Sequence, residues 1–574
     1  MSNLQMPKAQ PVDNFKQLVY QTVELFEKRD AFLVKDHENS YHSITFKQFK
    51  DEINALGTAL IDLGLKDSYI AVVGENRYEW CLSYLAIACG IGVVVPIDKE
   101  LPTNEIANLL NRSRAKAVIY AGSLSSSLEL MVEELETVEY FINMDDGSAG
   151  KAHFTLPQLL ARGKILLEKG DTRYLDAEID SNAMGILLFT SGTTGIAKGV
   201  MLSQKNICFD ISCVAQCIYF DCTDSVMSIL PLHHTYECTC GFLTMFFNGV
   251  RISFCESTRY IARDMQIYKP TILLLVPLIL ESVYKKILKK ANANPIKATI
   301  FKSLLGISSF LNKCGIDVRS KIFKAVHKTL GGNLRLVISG AAAIDPKVSS
   351  ALAKMGLNIR QGYGLTECSP IVCVNRDKGF SDASIGQQLP GVEVRINNPN
   401  EDGIGEIITR GQNVMIGYFE DQAATDAVLK DGWLYTGDLG KMDENGLFYI
   451  TGRLKNIIIT KNGKNIYPEE LETYLSRIPY VLESLVWGKD DDESGETRIH
   501  ATIVPDMDAI MDKTDLNSTQ IKEIHKLIWE EVKKINRTIP ISKNIKVIDL
   551  RLEEFEKTTT KKIKRHSVKK DVAC

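Results

Sequence analysis

Apolar residues in this chain gather in short runs of four to six, each followed by a longer amphipathic stretch. Tyr69–Val73, Ala117–Tyr120, Gly185–Phe189, Thr271–Val276, Leu334–Ile338 and Glu483–Trp487 are runs of this kind. So short a run, mostly apolar, suits a strand buried on both faces, and the amphipathic stretch after it suits a helix that returns the chain to a parallel neighbour. Just before Ala117–Tyr120, residues 104–113 place Ile106, Leu109 and Leu110 on one side of such a helix. The pattern predicts an α/β fold, with a large N-terminal domain of mixed, mainly parallel sheets flanked by helices.

A chain of 574 residues exceeds one ordinary domain. Turn-rich sequence at Thr451–Lys455 precedes a new set of elements. Pro468 opens a helix with Glu469 and Glu470 behind it, where the helix dipole favours acids. Strands near Leu485 and at Arg498–Val504 follow, then a helix at Gln520–Asn536. The expected division is 1–453 and 454–574, the second a small α+β domain.

Composition excludes several classes. Apolar residues at 45% and charged residues at 24% are ordinary for a globular protein. The 68 Lys and Arg against 71 Asp and Glu leave a net charge of −3, which gives no global attraction for nucleic acid. Thirteen cysteines, seven of them between Cys208 and Cys255, form no CxxC pair in that stretch, and Cys238 with Cys240 is too little for zinc. They read as buried reduced thiols in a cytoplasmic protein. Met1–Phe15 lacks the apolar stretch of a secretory signal. Leu85–Pro96 and Ile272–Leu280 are too short to span a bilayer, so the chain is expected to be soluble or peripheral.

Residues 281–330 stand apart. They hold ten Lys and one Arg against one Asp and one Glu, interleaved with Ile287, Leu288, Phe301, Leu304, Leu305, Phe310, Ile322 and Phe323. Basic amphipathic helices follow from that pattern, and two readings stand: an anionic membrane surface, or a solvated helical face.

The chemistry is concentrated in a few segments. Gly185–Phe189 runs into Thr190, Ser191, Gly192, Thr193, Thr194 and Gly195, six consecutive Gly, Ser or Thr residues, and then Lys198. Glycines let backbone N–H groups turn toward a ligand, hydroxyls add donors, and a lysine adds charge, so the loop suits phosphate oxygens. A Walker loop carries its lysine directly after the last glycine; here Ile196 and Ala197 intervene, which disfavours an ordinary P-loop kinase or ATPase. After Leu334–Ile338 come Gly340, Ala341 and Ala342, small residues that let a flat ring approach the backbone. Gln361–Glu367 offers the aromatic face of Tyr363, a tight turn at Gly364, the Thr366 hydroxyl, and Glu367 as a hard oxygen ligand for Mg²⁺. Two further segments end in Asp438 and Arg453, an acceptor and a donor suited to the two ribose hydroxyls.

In this order the segments resemble those of the acyl-adenylate-forming superfamily of AMP-binding enzymes, which includes acyl-CoA synthetases, peptide-synthetase adenylation domains and luciferases. The resemblance spans residues 15–570. It implies that Thr190 to Gly195 with Lys198 bind the phosphates of ATP. It sets Gly340, Ala341, Ala342, Tyr363 and Gly364 about the adenine, Thr366 on the α-phosphate, Mg²⁺ on Glu367, and the ribose on Asp438 and Arg453 beside Ile450. Lys455 matches the hinge about which a mobile small domain turns. Lys562 matches the lysine that reaches the acyl and α-phosphate oxygens, so Lys562, Lys198, Thr190 and Glu367 are the expected catalytic residues. Two positions depart from the pattern: Glu556 stands in place of Pro and Lys561 in place of Gly. Loss of that glycine removes easy access to positive φ and leaves Lys561 as a rival to Lys562.

Within the superfamily, Pro231 followed by His234 and Glu237 resembles the long-chain fatty acyl-CoA synthetases, with His234 as the gate residue near the acyl carboxylate. His234 and Glu237 alone are too few for a metal site. Cys238–Gly249 fits either the lining of an acyl tunnel or a buried core helix. The implied reaction joins a fatty acid to coenzyme A, with ATP spent to AMP and pyrophosphate. Two alternatives stand beside it: a ligase that loads an acyl carrier protein, and a non-enzymatic lipid- or membrane-binding protein on a degenerate synthetase scaffold. Peripheral membrane association, if present, would run through 281–330.

Overall fold

The computed structural model describes residues 10–36, 40–146, 153–190, 197–292, 294–377, 379–460, 464–490, 497–514, 516–557 and 563–565. The chain forms two compact units, one of 1–394 with 409–434 and one of 395–408 with 435–574.

Two large sheets organise the first unit. One has eight strands in the order Gly417–Tyr418, Lys198–Ser203, Met184–Thr190, Val93–Ile97, Tyr69–Val73, Ala117–Tyr120, Tyr140–Asn143 and Phe154–Thr155. From Met184–Thr190 onward the pairs are parallel. The helix Thr103–Arg112 supplies one crossover, burying Ile106, Leu109 and Leu110. The other sheet has nine strands, with a parallel centre running Asn358–Gly364, Leu336–Ser339, Ile272–Leu275, Ser225–Ser228, Arg251–Phe254 and Asp30–Lys35. Its edges, Ile371–Val374 with Gln387–Gln388 and Tyr41–Thr45, are antiparallel. Central strands such as Ala117–Tyr120 and Leu336–Ser339 are buried at every position, which is why they read as unbroken apolar runs. The α/β class, with mainly parallel sheets flanked by helices, is as the sequence predicts.

The second unit contains a three-stranded sheet, Val481–Asp490, Thr497–Pro505 and Val547–Leu550. The helices Pro468–Leu475 and Ile521–Asn536 pack on the same core, the latter through Ile524, Ile528 and Val532, one helical stripe with no exposed surface. Burial of each such side chain stabilises the unit by about 1.5–3 kcal/mol. The unit begins earlier in the chain than residue 454. Most of the antiparallel ladder formed by Trp433–Met442 and Phe448–Arg453, with Asp438 opposite Arg453, belongs to this unit.

Among the described residues every cysteine except Cys314 is a buried free thiol. Among them also, no helix is long and apolar enough to cross a membrane. The basic segment forms the helices Pro277–Ala291, Pro295–Lys313, Arg319–Ile322 and Lys324–Thr329.

Candidate active site

In the first unit, Met184–Thr190 and Lys198–Ser203 form a hairpin whose register sets Thr190 opposite Lys198, with the Thr190 hydroxyl donating to the Lys198 carbonyl at 3.4 Å. Ser191, Gly192, Thr193, Thr194 and Gly195 lie outside the described residues. Lys198–Ser203 ends on Ser203, whose hydroxyl caps the helix Gln204–Cys217 by accepting from the Asn206 N–H at 3.1 Å. The Asn206 amide then donates to the carbonyls of Gln412 and Val414, at 2.6 and 3.0 Å. That anchors the segment which forms the strand Gly417–Tyr418 against Lys198–Ser203.

Tyr418 joins the pieces. Lys198 Nζ sits 4.7 Å from the centre of its ring, and its hydroxyl donates to Glu367 Oε1 at 2.8 Å. Burial and the adjacent Glu367 push the phenol pKa far up, so Tyr418 stays a donor through the physiological range. Glu367 rides on the 3₁₀ turn Thr366–Cys368, beyond the end of Asn358–Gly364, and its carbonyl accepts from the Met415 N–H at 2.8 Å. Gly364 is obligatory here, because a Cβ would stand 1.7 Å from the Pro370 carbonyl oxygen. Behind the turn, Asn413 donates to the Ile371 carbonyl at 2.8 Å, and the Ile371 N–H donates to the buried Asp210 carboxylate at 2.7 Å. Burial pushes the Asp210 carboxyl well above its ordinary range.

Neither contact on Tyr418 neutralises the charge it holds. The ring faces the ammonium without accepting its proton, and one phenol hydrogen bond leaves further lone pairs on the carboxylate. Lys198 and Glu367, far apart in sequence, are thus linked through a residue that sequence reasoning missed. The only signal for Tyr418 was a glycine directly before an aromatic, with no polar neighbour.

Leu336–Ser339 and Asn358–Gly364 are parallel neighbours, so Gly340, Ala341 and Ala342 leave the same end of the sheet as Tyr363, Gly364 and Thr366. Ligands of open α/β sheets bind at that end. Ala341 holds φ of 68°, a left-handed conformation uncommon for a residue with a Cβ. The space over Gly340 is taken by the protein's own Tyr236 ring, 2.7 Å from where a Cβ would stand, with the Tyr236 hydroxyl donating to the Ile338 carbonyl at 3.0 Å. Tyr236 lies in a distant segment, so sequence reasoning missed its place here.

His234 follows the strand Ser225–Ser228, its ring 4.2 Å from that of His233. Asn76 holds the approach, donating to Ser228 Oγ at 2.8 Å and to the Leu230 carbonyl at 2.6 Å, and accepting from the Leu232 N–H at 3.0 Å. His233 Nε2 lies 3.5 Å from Asp98, yet burial lowers the imidazole pKa to about 3, so the ring is neutral and the contact is no ion pair. Glu237 is the second residue of a π-helical stretch, Tyr236–Leu243, that runs into Thr244–Phe247, and every residue from Glu237 to Phe247 is buried. Burial pushes the Glu237 carboxyl up to about 8. Among the described residues no three His, Cys, Asp or Glu side chains are grouped to hold a metal, so His234 and Glu237 do not form part of such a cluster.

In the second unit, Asp438 and Arg453 bind each other, Arg453 Nε to Asp438 Oδ1 at 2.9 Å, with the carboxylate buried and the guanidinium half-exposed. Ile450 lies in the same ladder, opposite Gly440. The turn Leu454–Asn456 carries Lys455, whose ammonium pKa is lowered by partial burial and by Arg453 beside it. Arg565 pairs with the part-buried Glu472 and donates to the Val486 carbonyl at 3.1 Å. Burial still pushes the Glu472 carboxyl up to about 6. Lys557 and Ile563 pair as an antiparallel bridge; Lys561 and Lys562 lie outside the described residues.

A family profile described as AMP-binding enzyme matches residues 20–419. The chain belongs to that family. It is 31% identical over 516 residues to the long-chain-fatty-acid–CoA ligase 5 of Rattus norvegicus, covering 82% of this chain and 72% of that protein. It is 29% identical over 462 residues to the long-chain-fatty-acid–CoA ligase FadD15 of Mycobacterium bovis, covering 78% and 75%. Within the family it therefore stands among the AMP-forming acyl-CoA ligases. The fold is shared with an anthranilate–CoA ligase solved with anthranoyl-AMP (TM-score 0.77, 19% identity, 100% of this chain and 99% of that one). It is also shared with ATP-bound MatB from Rhodopseudomonas palustris (TM-score 0.73, 23% identity, 97% and 99%).

Proposed function

We propose that this chain activates a long-chain fatty carboxylate with ATP, releasing pyrophosphate, and passes the acyl group from acyl-AMP to coenzyme A. The observation that carries the reading is the Tyr418 bridge, which holds the Lys198 cation and the Glu367 carboxylate without neutralising either. The names of the relatives and the buried apolar stretch from Cys238 to Phe247 support a long acyl chain as substrate.

The difficulty in the first half-reaction is electrostatic. A carboxylate oxygen attacks the α-phosphorus, the bond to pyrophosphate breaks, and an anion must approach a polyanion. Lys198 and the N–H groups of the Thr190–Gly195 loop lower that cost where charge builds. No protein base is needed, because a fatty acid is already ionised near neutral pH. Glu367 fits a Mg²⁺ ligand, since it is partly exposed and keeps lone pairs beyond the one Tyr418 uses. Mg²⁺ held there would add positive charge beside the phosphates. In the second half-reaction the coenzyme A sulfur attacks the acyl carbon, its proton goes to solvent, and AMP leaves. We assign Lys562 to the adenylating half and Lys455 to the pivot between halves.

Carboxylate-dependent exchange of pyrophosphate into ATP, run over acids of graded chain length plus aryl and amino acids, tests the reading. Long unbranched acids should support the fastest exchange; a faster aryl or amino acid would overturn the substrate class, and no exchange with any acid would overturn the activity. Offering coenzyme A and an acyl carrier protein side by side decides the acceptor. Lys562→Ala should abolish exchange while sparing thioester formation from supplied acyl-AMP, and equal loss of both would refute its assignment.

A further inference from the structure

The helix Pro295–Lys313 has two apolar sides, and the fold uses one. Phe301, Leu304 and Leu305 pack against the core that includes Leu275, Leu352 and Ile359. Ser308 is buried on the same side, its hydroxyl donating to the Lys354 carbonyl at 2.7 Å. Away from that side, Ile296, Ile300, Ile307 and Phe310 follow at intervals of four, seven and three residues, which aligns them along one face of a helix. They are 73%, 53%, 51% and 67% exposed. Ile316, just beyond the helix, is 53% exposed. Four large apolar side chains in one exposed row mark a surface that something covers.

The charge around the row indicates what covers it. At 100° per residue Lys302 and Lys313 flank the row on the side away from the core, and both are exposed. The segment 281–330 carries ten Lys and one Arg, while the chain as a whole has a net charge of −3. Of its two acids, Asp317 is paired with Arg319 at 2.7 Å and Glu281 is partly buried. A second copy docked face to face would set lysine against lysine. A bilayer bearing anionic headgroups offers apolar depth under the row and opposite charge at that flank.

We propose that Pro295–Lys313 is a membrane-docking helix that lies in the interface of an anionic bilayer. Ile296, Ile300, Ile307 and Phe310 enter the acyl boundary and Lys302 and Lys313 meet the phosphates. The inference rests on the exposed row and its charge, independently of the ligase reading.

Co-sedimentation of the full chain with phosphatidylcholine vesicles, and with vesicles also holding about a third phosphatidylserine, tests it. Binding should require the anionic lipid and fade as salt rises from about 0.05 to 0.5 M. Ile300→Ser/Ile307→Ser/Phe310→Ser should weaken binding about tenfold or more. Lys302→Glu/Lys313→Glu should weaken it about 30-fold, at about fivefold per lysine before the effect of reversal. The second variant keeps the test decisive if the first misfolds, with the melting temperature as the control. Equal binding to neutral vesicles, no binding to either kind, or binding unchanged in a folded variant each overturns the proposal. A native dimer that the serine variant converts to monomer, with vesicle binding unaltered, assigns the row to self-association and overturns it too.

Discussion

Charge is handled in opposite ways around Tyr418 in the first unit and around Arg565 in the second. In the first, Lys198 and Glu367 are each held by Tyr418, one on the ring and one on the hydroxyl, so both charges persist. In the second, Arg565 binds Glu472, so opposite charges meet directly. A buried charge with its counter-charge is settled, and its removal is felt as lost stability. A charge held by a neutral aromatic remains available to phosphate or metal, and its removal is felt as lost rate. The same residue types therefore serve structure in one place and chemistry in the other, according to what stands between them.

Three measurements would break or sharpen that contrast. The largest effect is expected for Arg565→Leu, which leaves the part-buried Glu472 carboxylate without its counter-charge and should cost about 3 kcal/mol at pH 8. Glu472 already titrates near 6, above an unfolded carboxyl, and loss of Arg565 raises it further. The penalty is absent below the unfolded pKa and grows with pH, so the loss should be much smaller at pH 5. Amide exchange in Val481–Asp490 and Pro468–Leu475 at the two pH values reads it, and a pH-independent loss would contradict the account. Next, Glu367→Gln should lower pyrophosphate exchange about 10²–10³-fold with the melting temperature unchanged. A variant that melts early yet exchanges normally would place Glu367 on the structural side of the contrast. The smallest effect belongs to Tyr418→Phe, which keeps the ring beside Lys198 and loses one hydrogen bond to a charged group. It should lower kcat/KM about tenfold, or about 1.5 kcal/mol, and a loss as deep as that of Glu367→Gln would mean the phenol does more than position.

The strands were readable because burial on both faces erases alternation: Tyr69–Val73 and Ala117–Tyr120 occupy the residues expected of them. The Leu334–Ile338 run was displaced, its strand covering Leu336–Ser339, because hydrophobicity marks burial while pairing with Asn358–Gln361 sets the ladder. Within the candidate site, Thr190, Lys198 and Glu367 announced themselves as polar or small residues crowded after apolar runs. Tyr418, Tyr236, Asn76 and Asn206 did not, since each acts on a partner far away in sequence and resembles an ordinary core or loop residue in its own neighbourhood. The exposed row of Pro295–Lys313 was half visible: its apolar residues could be counted, but which of them the core would absorb could not.

By itself the sequence determined the class of fold, the order of its elements and the residue types gathered for phosphate chemistry, because these depend on local periodicity and on side-chain chemistry. Only the tertiary structure decided which charges meet and which are kept apart, which face of a helix the core leaves uncovered, and where the second unit begins. Those outcomes depend on strand register and on long-range packing, and neither is written in any single stretch of chain.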